Sequence, residues 1–263
     1  MGLLDGKRLV VIGGTSGIGL AAALAFRAHG AQVVVSGLDE GSCAAAAEAL
    51  GPEVPVLCRD ASSEGTAEEV IAACVSRWGD LDGLYHVAGG SGRRYGDGPL
   101  HTLSLEGWDK TLALNLTSVM LSSRAAVRHW LDRERGGSLL LLGSVLGYSP
   151  SPRYFVTHGY AAAKAAMIGL AASLAASYAS YDIRVNVLAP GLTETPMAQR
   201  AVQNPEILDF VRTKQPLGGG RAGQPADLAG AALYFMADLS AFVTGQVLAV
   251  DGGWSVSEGQ VVS

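Results

Sequence analysis

The sequence predicts an α/β fold in which a doubly wound parallel sheet of about seven strands is flanked by helices. Short apolar runs rich in Val, Ile and Leu alternate along the chain with stretches of helical composition. The strand candidates are apolar on both faces, which is typical of parallel strands covered by helices on each side. Because no Pro- or Ser-rich linker and no repeat interrupts this alternation, we expect a single domain over residues 1–263.

The amino-terminal half supplies the first strands and helices in strict alternation. Strands are predicted at residues 8–12, 32–36, 54–58 and 83–87, and helices at residues 20–29, 42–50 and 63–78. Gly30 stands where the first helix should end. The third helix carries acidic residues early and Arg77 late, the order that a helix dipole favours.

The carboxyl-terminal half continues the alternation but contains two irregular stretches. Helices are predicted at residues 105–134, 160–179 and 226–237, and strands at residues 138–142, 183–188 and 246–250. The irregular stretches, 89–100 and 191–223, each follow a strand, and ligands of doubly wound folds bind beyond the carboxyl ends of strands. We therefore expect both to border a binding crevice and 191–223 to form a substrate loop or lid.

Composition and charge argue against several classes of function. The net charge of −5 arises from mixed charges without a basic tract, so a nucleic acid partner is not expected. The first residues lack a signal core, and no apolar run is judged long enough to span a bilayer, so no membrane association is expected. Three widely spaced cysteines suit a cytoplasmic protein and indicate neither disulfides nor a metal site.

Tyr160 and Lys164 lie one turn apart in an alanine-rich helix, so their side chains share one helix face. A tyrosine normally titrates near pH ~10, and a fixed cation beside it stabilises tyrosinate and lowers that pKa. The pair is therefore a candidate general acid/base for an alcohol or carbonyl oxygen. For these residues alone an ordinary helix is the commoner explanation, and the rest of the chain has to decide.

A glycine-rich turn follows the first strand and opens the first helix. Gly13, Gly17 and Gly19 permit positive φ and the close approach of a ligand, and the helix N-terminus behind them attracts phosphate. The alternative is a tight strand–helix turn that binds nothing. The strand before the turn and the helix after it favour dinucleotide binding.

These motifs resemble the short-chain dehydrogenase/reductase family, and the likeness covers almost the whole chain. It rests first on Gly13-x-x-x-Gly17-Ile18-Gly19 and Tyr160-x-x-x-Lys164. Smaller matches follow in the family's order: Asp60, Ala88-Gly89, Asn115, Gly143-Ser144, Pro190-Gly191, Thr195, Thr244-Gly245-Gln246 and Val250-Asp251-Gly252-Gly253. The resemblance implies a Rossmann-like fold and an NAD(P)-dependent oxidoreductase that interconverts a secondary alcohol and a ketone.

The resemblance also implies roles for individual residues. Tyr160 would exchange a proton with the substrate oxygen, and Ser144 would hydrogen-bond that oxygen. Lys164 would hold the nicotinamide ribose and keep Tyr160 acidic, while Asn115 would hold a water that links Lys164 to solvent. The alternatives are a strand-end turn serine for Ser144 and a locally satisfied helix residue for Asn115. The implied cofactor contacts are Gly13, Thr15, Ser16, Gly17, Ile18, Gly19, Leu38, Asp60, Ala61, Ala88, Gly89, Tyr160, Lys164, Pro190, Gly191, Thr193 and Thr195.

The chain departs from the family pattern in three places. Ile12 stands where the family usually has Thr, and His86-Val87 replaces two asparagines that steady the central strand. The segment between Ser144 and Tyr160 is a few residues longer than is common in the family. We expect this extra length to shape the substrate pocket, with Tyr148, Tyr154, Phe155, His158 and Met197 as candidate pocket or lid residues and structural packing as the alternative for each.

The choice between NAD and NADP depends on the end of the second strand. Gly37 occupies the place where NAD-preferring relatives usually have Asp, and Leu38 and Ser16 occupy places where NADP-preferring relatives usually have a cation. Asp39 could reach the ribose or could cap the following helix. Because no cation is evident to meet a phosphate, the sequence favours NAD.

The substrate is left open by the sequence. Arg93 and Arg94 could bind a carboxylate, sulfonate or phosphate, and the alternative is a solvated loop or an intersubunit contact. Outside the enzyme class, a cofactor-binding sensor or scaffold without turnover is the alternative function. The Tyr-x-x-x-Lys spacing argues against an enoyl reductase, and the chain length argues against an epimerase.

A homo-oligomer is expected, and the resemblance implies a tetramer, the assembly of many relatives. Residues 160–179 are small or apolar nearly all round, which predicts a helix buried on every side. In a chain of this size a partner subunit would have to cover its outer face. The helices at 105–134 and 160–179 are therefore predicted to lie at an interface.

Overall fold

The computed structural model describes residues 2–260, and within them seven parallel strands form one sheet in the order β3-β2-β1-β4-β5-β6-β7. The strands are β1 Arg8–Ile12, β2 Gln32–Gly37, β3 Val56–Cys58, β4 Gly83–His86, β5 Gly137–Leu142, β6 Ile183–Pro190 and β7 Val247–Val250. The strand order reverses between β1 and β4, which makes this the topological switch point. The predicted doubly wound parallel sheet is confirmed.

Helices cover both faces of the sheet. They are α1 Gly17–Ala28, α2 Glu40–Leu50, α3 Thr66–Trp78, α4 Leu105–Leu112, α5 Ser118–Asp132, α6 His158–Tyr178, α7 Gln199–Val202, α8 Pro205–Lys214 and α9 Ala229–Met236. Alternate residues of β1 divide between two apolar cores, as the two-residue period of a strand requires. Leu9 and Val11 pack in the core with α1, α2 and α9, whereas Val10 and Ile12 pack in the core with α3, α5 and α6.

Several predicted elements have different bounds in the structure, and three of these differences change the description of the element. The helix expected at 105–134 is not continuous, because the π-helical turn Ala113–Thr117 separates α4 from α5. The third strand is shorter than 54–58, since Pro55 has no N–H to donate to a sheet ladder. The helix expected at 226–237 begins with the 3₁₀ turn Pro225–Leu228, and only then does α9 follow.

The long helix α6 is not buried on every side, as its composition suggested. Met167 and Ala171 pack against the sheet, whereas small residues such as Gly169 and Ala172 are exposed on the opposite side of this single chain. The segment His158–Tyr181 is also apolar and long enough to cross a membrane by length and composition, which corrects the sequence expectation. One such helix is weak evidence for a span, because core helices of soluble proteins have the same character.

Candidate active site

Two adjoining cavities open at the carboxyl ends of the strands, beside the switch point. The first, the glycine groove, has a volume of about 490 Å³ and runs along the turn before α1 towards the end of β2. The second, the tyrosine cavity, has a volume of about 400 Å³ and contains Ser144 and Tyr160 in its wall. The two form a continuous cleft, because they share the wall residues Ile18, Ser91, Arg94, Leu142, Thr195 and Met197.

Most of the predicted cofactor contacts line this cleft. In the wall of the glycine groove are Gly13, Thr15, Ser16, Gly17, Ile18, Leu38, Asp60, Ala61, Ala88, Gly89 and Thr195. In the wall of the tyrosine cavity are Ile18, Tyr160, Pro190, Gly191, Thr193 and Thr195. Gly19, Asn115 and Lys164 line neither cavity and lie just behind the walls.

The glycines of the first turn are required by close packing and by backbone conformation. Gly13 has a φ of +85°, and a Cβ there would lie 2.5 Å from the main-chain nitrogen of Ala88. A Cβ on Gly19 would lie 2.0 Å from the carbonyl oxygen of Gly13. Ser16 precedes α1 without making a side-chain capping hydrogen bond. The first N–H groups of α1 therefore face the groove without a side-chain cap.

The far end of the glycine groove carries charges of both signs. Asp39 caps α2, since its Oδ2 accepts a hydrogen bond of 2.7 Å from the main-chain nitrogen of Ser42. Arg59 also lines the groove, and its Nε lies 2.7 Å from Oε2 of Glu69. Sequence reasoning missed Arg59 because it searched for a cation after β2. The residue follows β3, and its main-chain nitrogen donates to the carbonyl of Gly37 at 2.7 Å.

Tyr160 lies in the first turns of α6 and is 8% exposed. Burial raises the pKa of its phenol, and the neighbouring Ser144 hydroxyl acts in the opposite direction. Burial is the larger cause, so the pKa lies above its ordinary value, in contrast to the lowering expected from the sequence. The physical reason is that burial disfavours the charged form of the phenol.

Lys164 is buried one turn further along the same helix. Its Nζ donates a hydrogen bond of 2.6 Å to the carbonyl of Leu142 and lies 5.6 Å from the ring centroid of Tyr160. Burial lowers the pKa of its ammonium group to about 7. The lysine therefore sits directly behind the tyrosine, at the end of β5, without a carboxylate partner among residues 2–260.

Asn115 occupies the π-helical turn and is fully buried. Its Oδ1 accepts from the main-chain nitrogen of Gly90 at 3.0 Å, and its Nδ2 donates to the carbonyls of Gly90 and Thr111 at 2.8 and 2.9 Å. A Cβ on Gly89 would lie 2.8 Å from this Oδ1 and 3.7 Å from Nζ of Lys164. Asn115 thus fixes the loop after β4, and that loop also meets the lysine.

Asp97 was missed by sequence reasoning and holds the start of the tyrosine helix. It is 3% exposed, and its two carboxylate oxygens accept hydrogen bonds from the main-chain nitrogens of Gly159 and Tyr160 at 2.9 and 2.8 Å. Thr157, the N-cap residue of α6, makes no side-chain capping bond. A carboxylate from the loop after β4 therefore satisfies the helix N-terminus in its place.

His86 replaces one of the amides that the family pattern led us to expect at the end of the central strand. Its Nδ1 lies 2.9 Å from Oγ of Ser122, and its Nε2 lies 3.1 Å from the carbonyl oxygen of Ala88. Burial, with a contribution from the Lys164 cation, lowers the pKa of this imidazole to about 3. A neutral histidine therefore ties β4 to α5, as an amide side chain could.

The predicted pocket residues divide between the cavity and its surroundings. Phe155 and Met197 line the tyrosine cavity, as do Arg93 and Arg94, whereas Tyr148, Tyr154 and His158 do not. Trp254, which sequence reasoning did not single out, is buried in the cavity wall and donates its ring N–H to the carbonyl of Ser149 at 3.1 Å. Among residues 2–260, no group of three His, Cys, Asp or Glu side chains could hold a metal ion.

The fold and the position of the cleft define a Rossmann-like α/β protein with its ligand site at the switch point. Comparison with known proteins specifies the family. Residues 13–255 match the family model described as enoyl-(acyl carrier protein) reductase. The chain belongs to the short-chain dehydrogenase/reductase family.

The similar proteins include curated dehydrogenases and a solved structure. The chain is 35% identical to glucose 1-dehydrogenase of Gluconobacter oxydans, over 94% of this chain and 91% of the relative. It is 34% identical to 2,5-dichloro-2,5-cyclohexadiene-1,4-diol dehydrogenase of Sphingobium indicum, over 96% of this chain and 98% of the relative. A short-chain type dehydrogenase/reductase from Mycobacterium ulcerans superimposes with a TM-score of 0.88 at 29% identity, covering 97% of this chain and 92% of the other. The protein is an enzyme of this family that acts on CH–OH groups.

Proposed function

We propose that the protein interconverts a secondary alcohol and a ketone with NAD as cofactor, and that Tyr160 is the general acid/base. The observation that carries this proposal is the position of Tyr160, buried beside Ser144 in a cavity that opens directly into the glycine groove. A tyrosine in that position can reach a substrate oxygen while the cofactor lies in the groove. When bound, the nicotinamide supplies or accepts the hydride.

The residues of the glycine groove fit a dinucleotide. The missing side chains at Gly13 and Gly17 leave the turn open, and the uncapped N-terminus of α1 suits a pyrophosphate. We assign the adenosine end to Leu38, Asp60 and Ala61, and the nicotinamide end to the residues that follow β4 and β6. The full proposed set is Gly13, Thr15, Ser16, Gly17, Ile18, Gly19, Leu38, Asp60, Ala61, Ala88, Gly89, Tyr160, Lys164, Pro190, Gly191, Thr193 and Thr195.

The catalytic residues divide the work of one proton transfer. Tyr160 gives its phenolic proton to a ketone oxygen or takes one from an alcohol, and Ser144 orients that oxygen by a hydrogen bond. Lys164, with a pKa of about 7, holds a proton behind Tyr160 and binds the ribose. Asn115 holds the Gly89–Gly90 loop against Lys164, and we assign it the path by which the lysine exchanges protons with solvent.

The charges at the adenosine end favour NAD over NADP. Asp39 and Asp60 place two carboxylates there, and these would repel a 2′-phosphate. Arg59 is the cation in that wall, but Glu69 already pairs with its guanidinium. The geometry therefore supports the choice made from the sequence, with Arg59 as the group that could reverse it.

The remaining proposals concern organisation. We propose a single catalytic domain over residues 1–263, in which the segment 191–223 closes over the cleft. We propose a homo-oligomer, for which a tetramer is the first expectation, and a cytoplasmic location that suits the three free cysteines. The exposed outer side of α6 supports an interface there, and exposed Phe242, Val247 and Leu248 beside and in β7 support a second one. A mass measurement that shows a stable monomer would contradict the assembly.

A parallel fluorescence titration with NADH and NADPH tests the cofactor, and a turnover screen with the tighter cofactor tests the reaction. We expect NADH to bind more tightly and secondary alcohols or ketones to be turned over. The screen should include an enoyl thioester, because the matching family model carries an enoyl reductase description. Reduction of the enoyl thioester without turnover of any ketone would contradict the proposed reaction. Binding of neither NADH nor NADPH would contradict the hypothesis that the protein is a nicotinamide-dependent enzyme.

A further inference from the structure

The charged residues of the tyrosine cavity are all of one sign. Its wall contains Arg93, Arg94 and Arg200 but no Asp, Glu, Lys or His. A single-sign set of guanidinium groups in a small, mostly apolar cavity creates a positive potential inside it. This potential lies beside the tyrosine that faces the substrate.

These arginines differ from most others in the described part of the chain. Eight arginines outside the cavity, among them Arg8 and Arg135, lie within ion-pair distance of a carboxylate. Within residues 2–260, Arg93, Arg94 and Arg200 have no such partner. Charges held apart from any carboxylate are available to a ligand.

Arg93 is the most informative of the three. It is partly buried, and this burial together with the nearby Arg200 cation lowers the pKa of its guanidinium, although the group stays charged at neutral pH. The Asp97 carboxylate acts in the opposite direction on that pKa, but it forms no ion pair with Arg93, and both of its oxygens accept from main-chain N–H groups of α6. Arg93 is thus left without an ion pair in a position where holding its charge is unfavourable.

Arg200 is exposed and reaches the same cavity from the segment that follows β6. It follows the lid residues after β6, and its Nη2 donates to the carbonyl of Tyr154 at 3.0 Å, which fixes one arm of the fork. Arg94 lines the glycine groove as well, so the phosphates of a cofactor compete for it. Arg93 and Arg200 line only the tyrosine cavity.

We propose that the substrate carries an anionic group, a carboxylate, sulfonate or phosphate, which Arg93 and Arg200 bind while its carbinol or ketone carbon faces Tyr160. The inference rests on the proposed alcohol–ketone reaction and names its substrate class. The volume of about 400 Å³ limits the substrate to a small molecule in which the anionic group is a few bonds from the reacting carbon. Two neighbouring guanidinium groups from different loops suit either a planar carboxylate or a tetrahedral anion.

Matched anionic and neutral ketones test the proposal by calorimetry, with and without NADH. The probes are 4-oxopentanoate and 5-oxohexanoate with their methyl esters as neutral counterparts. For the tetrahedral anions they are 2-oxopropane-1-sulfonate and 2-oxopropyl phosphate, with 2-pentanone as the neutral counterpart. We expect at least one anion to bind about tenfold or more tightly than its neutral counterpart, because hydrogen bonds to a charged group are the stronger ones. The carboxylate and tetrahedral arms then show which anion the site prefers.

The variants Arg93→Gln and Arg200→Gln should each weaken the preferred anion about tenfold and leave the esters unchanged. Arg93→Lys should recover part of the loss, because it restores charge without the fork. Arg133→Gln is the matched control, since Arg133 is exposed after α5 at the opposite edge of the sheet. Its anion affinities should equal those of the wild type.

Two results would overturn the inference. One is that no anionic probe binds more tightly than its neutral counterpart, and the other is that the preference survives in both Gln variants. Either would leave the dehydrogenase proposal standing, because NADH affinity and turnover of neutral alcohols are measured separately in the same variants. Conversely, a failure of the wild type and of all the variants to bind NADH would contradict the proposed function. The calorimetry without NADH would still test the anion site in that case.

Discussion

The two edges of the sheet treat charge in opposite ways. At the amino-terminal edge, Asp82 accepts hydrogen bonds from Arg8 and from Arg135 at 2.7 and 2.6 Å, and Asp80 pairs with His129 at 2.7 Å and with Arg135. Each of these charges has an opposite partner. At the carboxyl edge, Lys164 and the arginines of the tyrosine cavity have no carboxylate partner within residues 2–260.

We interpret the difference as a division between charges that stabilise the fold and charges that bind a ligand. Leaving a charge half-buried and unpaired costs stability, and such costs concentrate at functional sites. The amino-terminal network joins the starts of β1, β4 and β5, so its loss should reduce stability and spare chemistry. Changes at the carboxyl edge should instead reduce turnover and have less effect on stability. The following variants test this difference between the two edges.

The largest effect is expected for Tyr160→Phe. Removing the phenolic oxygen removes the proposed proton donor, so kcat should fall roughly 10²–10⁴-fold while NADH affinity and thermal stability change little. Steady-state kinetics, a fluorescence titration and a melting curve measure the three quantities. Tyr178→Phe, near the far end of the same helix, is the control and should behave as wild type. Retained turnover in Tyr160→Phe would exclude Tyr160 as the acid/base.

Asp82→Ala should show the opposite profile. It leaves Arg8 and Arg135 without their shared carboxylate, which should lower the free energy of unfolding by about 3 kcal/mol at neutral pH. In buffer without denaturant, where the variant is still folded, its kcat should match that of the wild type. Asp238→Ala, which removes an exposed ion pair with Lys7, should cost at most about 1 kcal/mol. Equal losses of stability in the two variants would contradict the idea that the Asp82 network stabilises the fold more than an exposed ion pair does.

The same network predicts a direction of acid sensitivity. Burial alone would raise the pKa of Asp82, but hydrogen bonds from Arg8 and Arg135 hold that pKa below its ordinary value. A lowered folded pKa gives stability that is present above the unfolded pKa of about 4 and is lost as pH falls through the folded value. Urea unfolding below pH 4 should therefore show a weaker pH dependence in Asp82→Ala than in wild type.

Lys164→Met tests the cost of an unpaired charge at the carboxyl edge. Burial lowers the folded pKa of Lys164 to about 7, so from pH 7 upward the unfolded chain binds more protons than the native one and stability rises with pH. Between pH 7 and pH 8.5 the gain is on the order of 1–2 kcal/mol, and Lys164→Met should lack it. The variant should also lose turnover and cofactor affinity. If the stability of the wild type does not change between pH 7 and pH 8.5, the pKa of Lys164 is not lowered in the folded protein.

The parts predictable from sequence are those that local patterns encode. The apolar runs predicted the strands and the burial of those in the middle of the sheet, although β7 is largely exposed in this chain. The four-residue spacing predicted that Tyr160 and Lys164 share one helix face. The turn before α1 was readable because its glycines have a local conformational reason. Resemblance to a family then ordered the distant segments into one cleft, which no local pattern could have done.

The parts that escaped prediction depend on contacts between distant segments. Arg59 reaches the groove because β3 pairs with β2. Arg200 lies near Arg93 only because the fold brings the loops after β4 and β6 together. The π-helical turn at Asn115 interrupts a sequence whose composition suits a continuous helix. In each case the contact that places the residue involves a distant segment or the main chain, and the local sequence does not indicate such contacts.

Asp97 is the exception that sharpens the comparison, because it is a carboxylate at the carboxyl edge that pairs with main-chain N–H groups. Asp97→Ala should lower the free energy of unfolding by about 1 kcal/mol, as loss of a helix cap does, and Asp97→Asn by less, since one acceptor remains. Ser104 caps α4, since its Oγ accepts a hydrogen bond of 3.0 Å from the main-chain nitrogen of Gly107. Ser104→Ala removes that cap and should lower the free energy of unfolding by a similar amount.

If Asp97 positions Tyr160, its variants should lower kcat several-fold with little change in NADH affinity, whereas Ser104→Ala should leave kcat unchanged. An equal kcat in both would reduce Asp97 to a structural cap, and every group at this edge that affects turnover would then be one that faces the cleft directly.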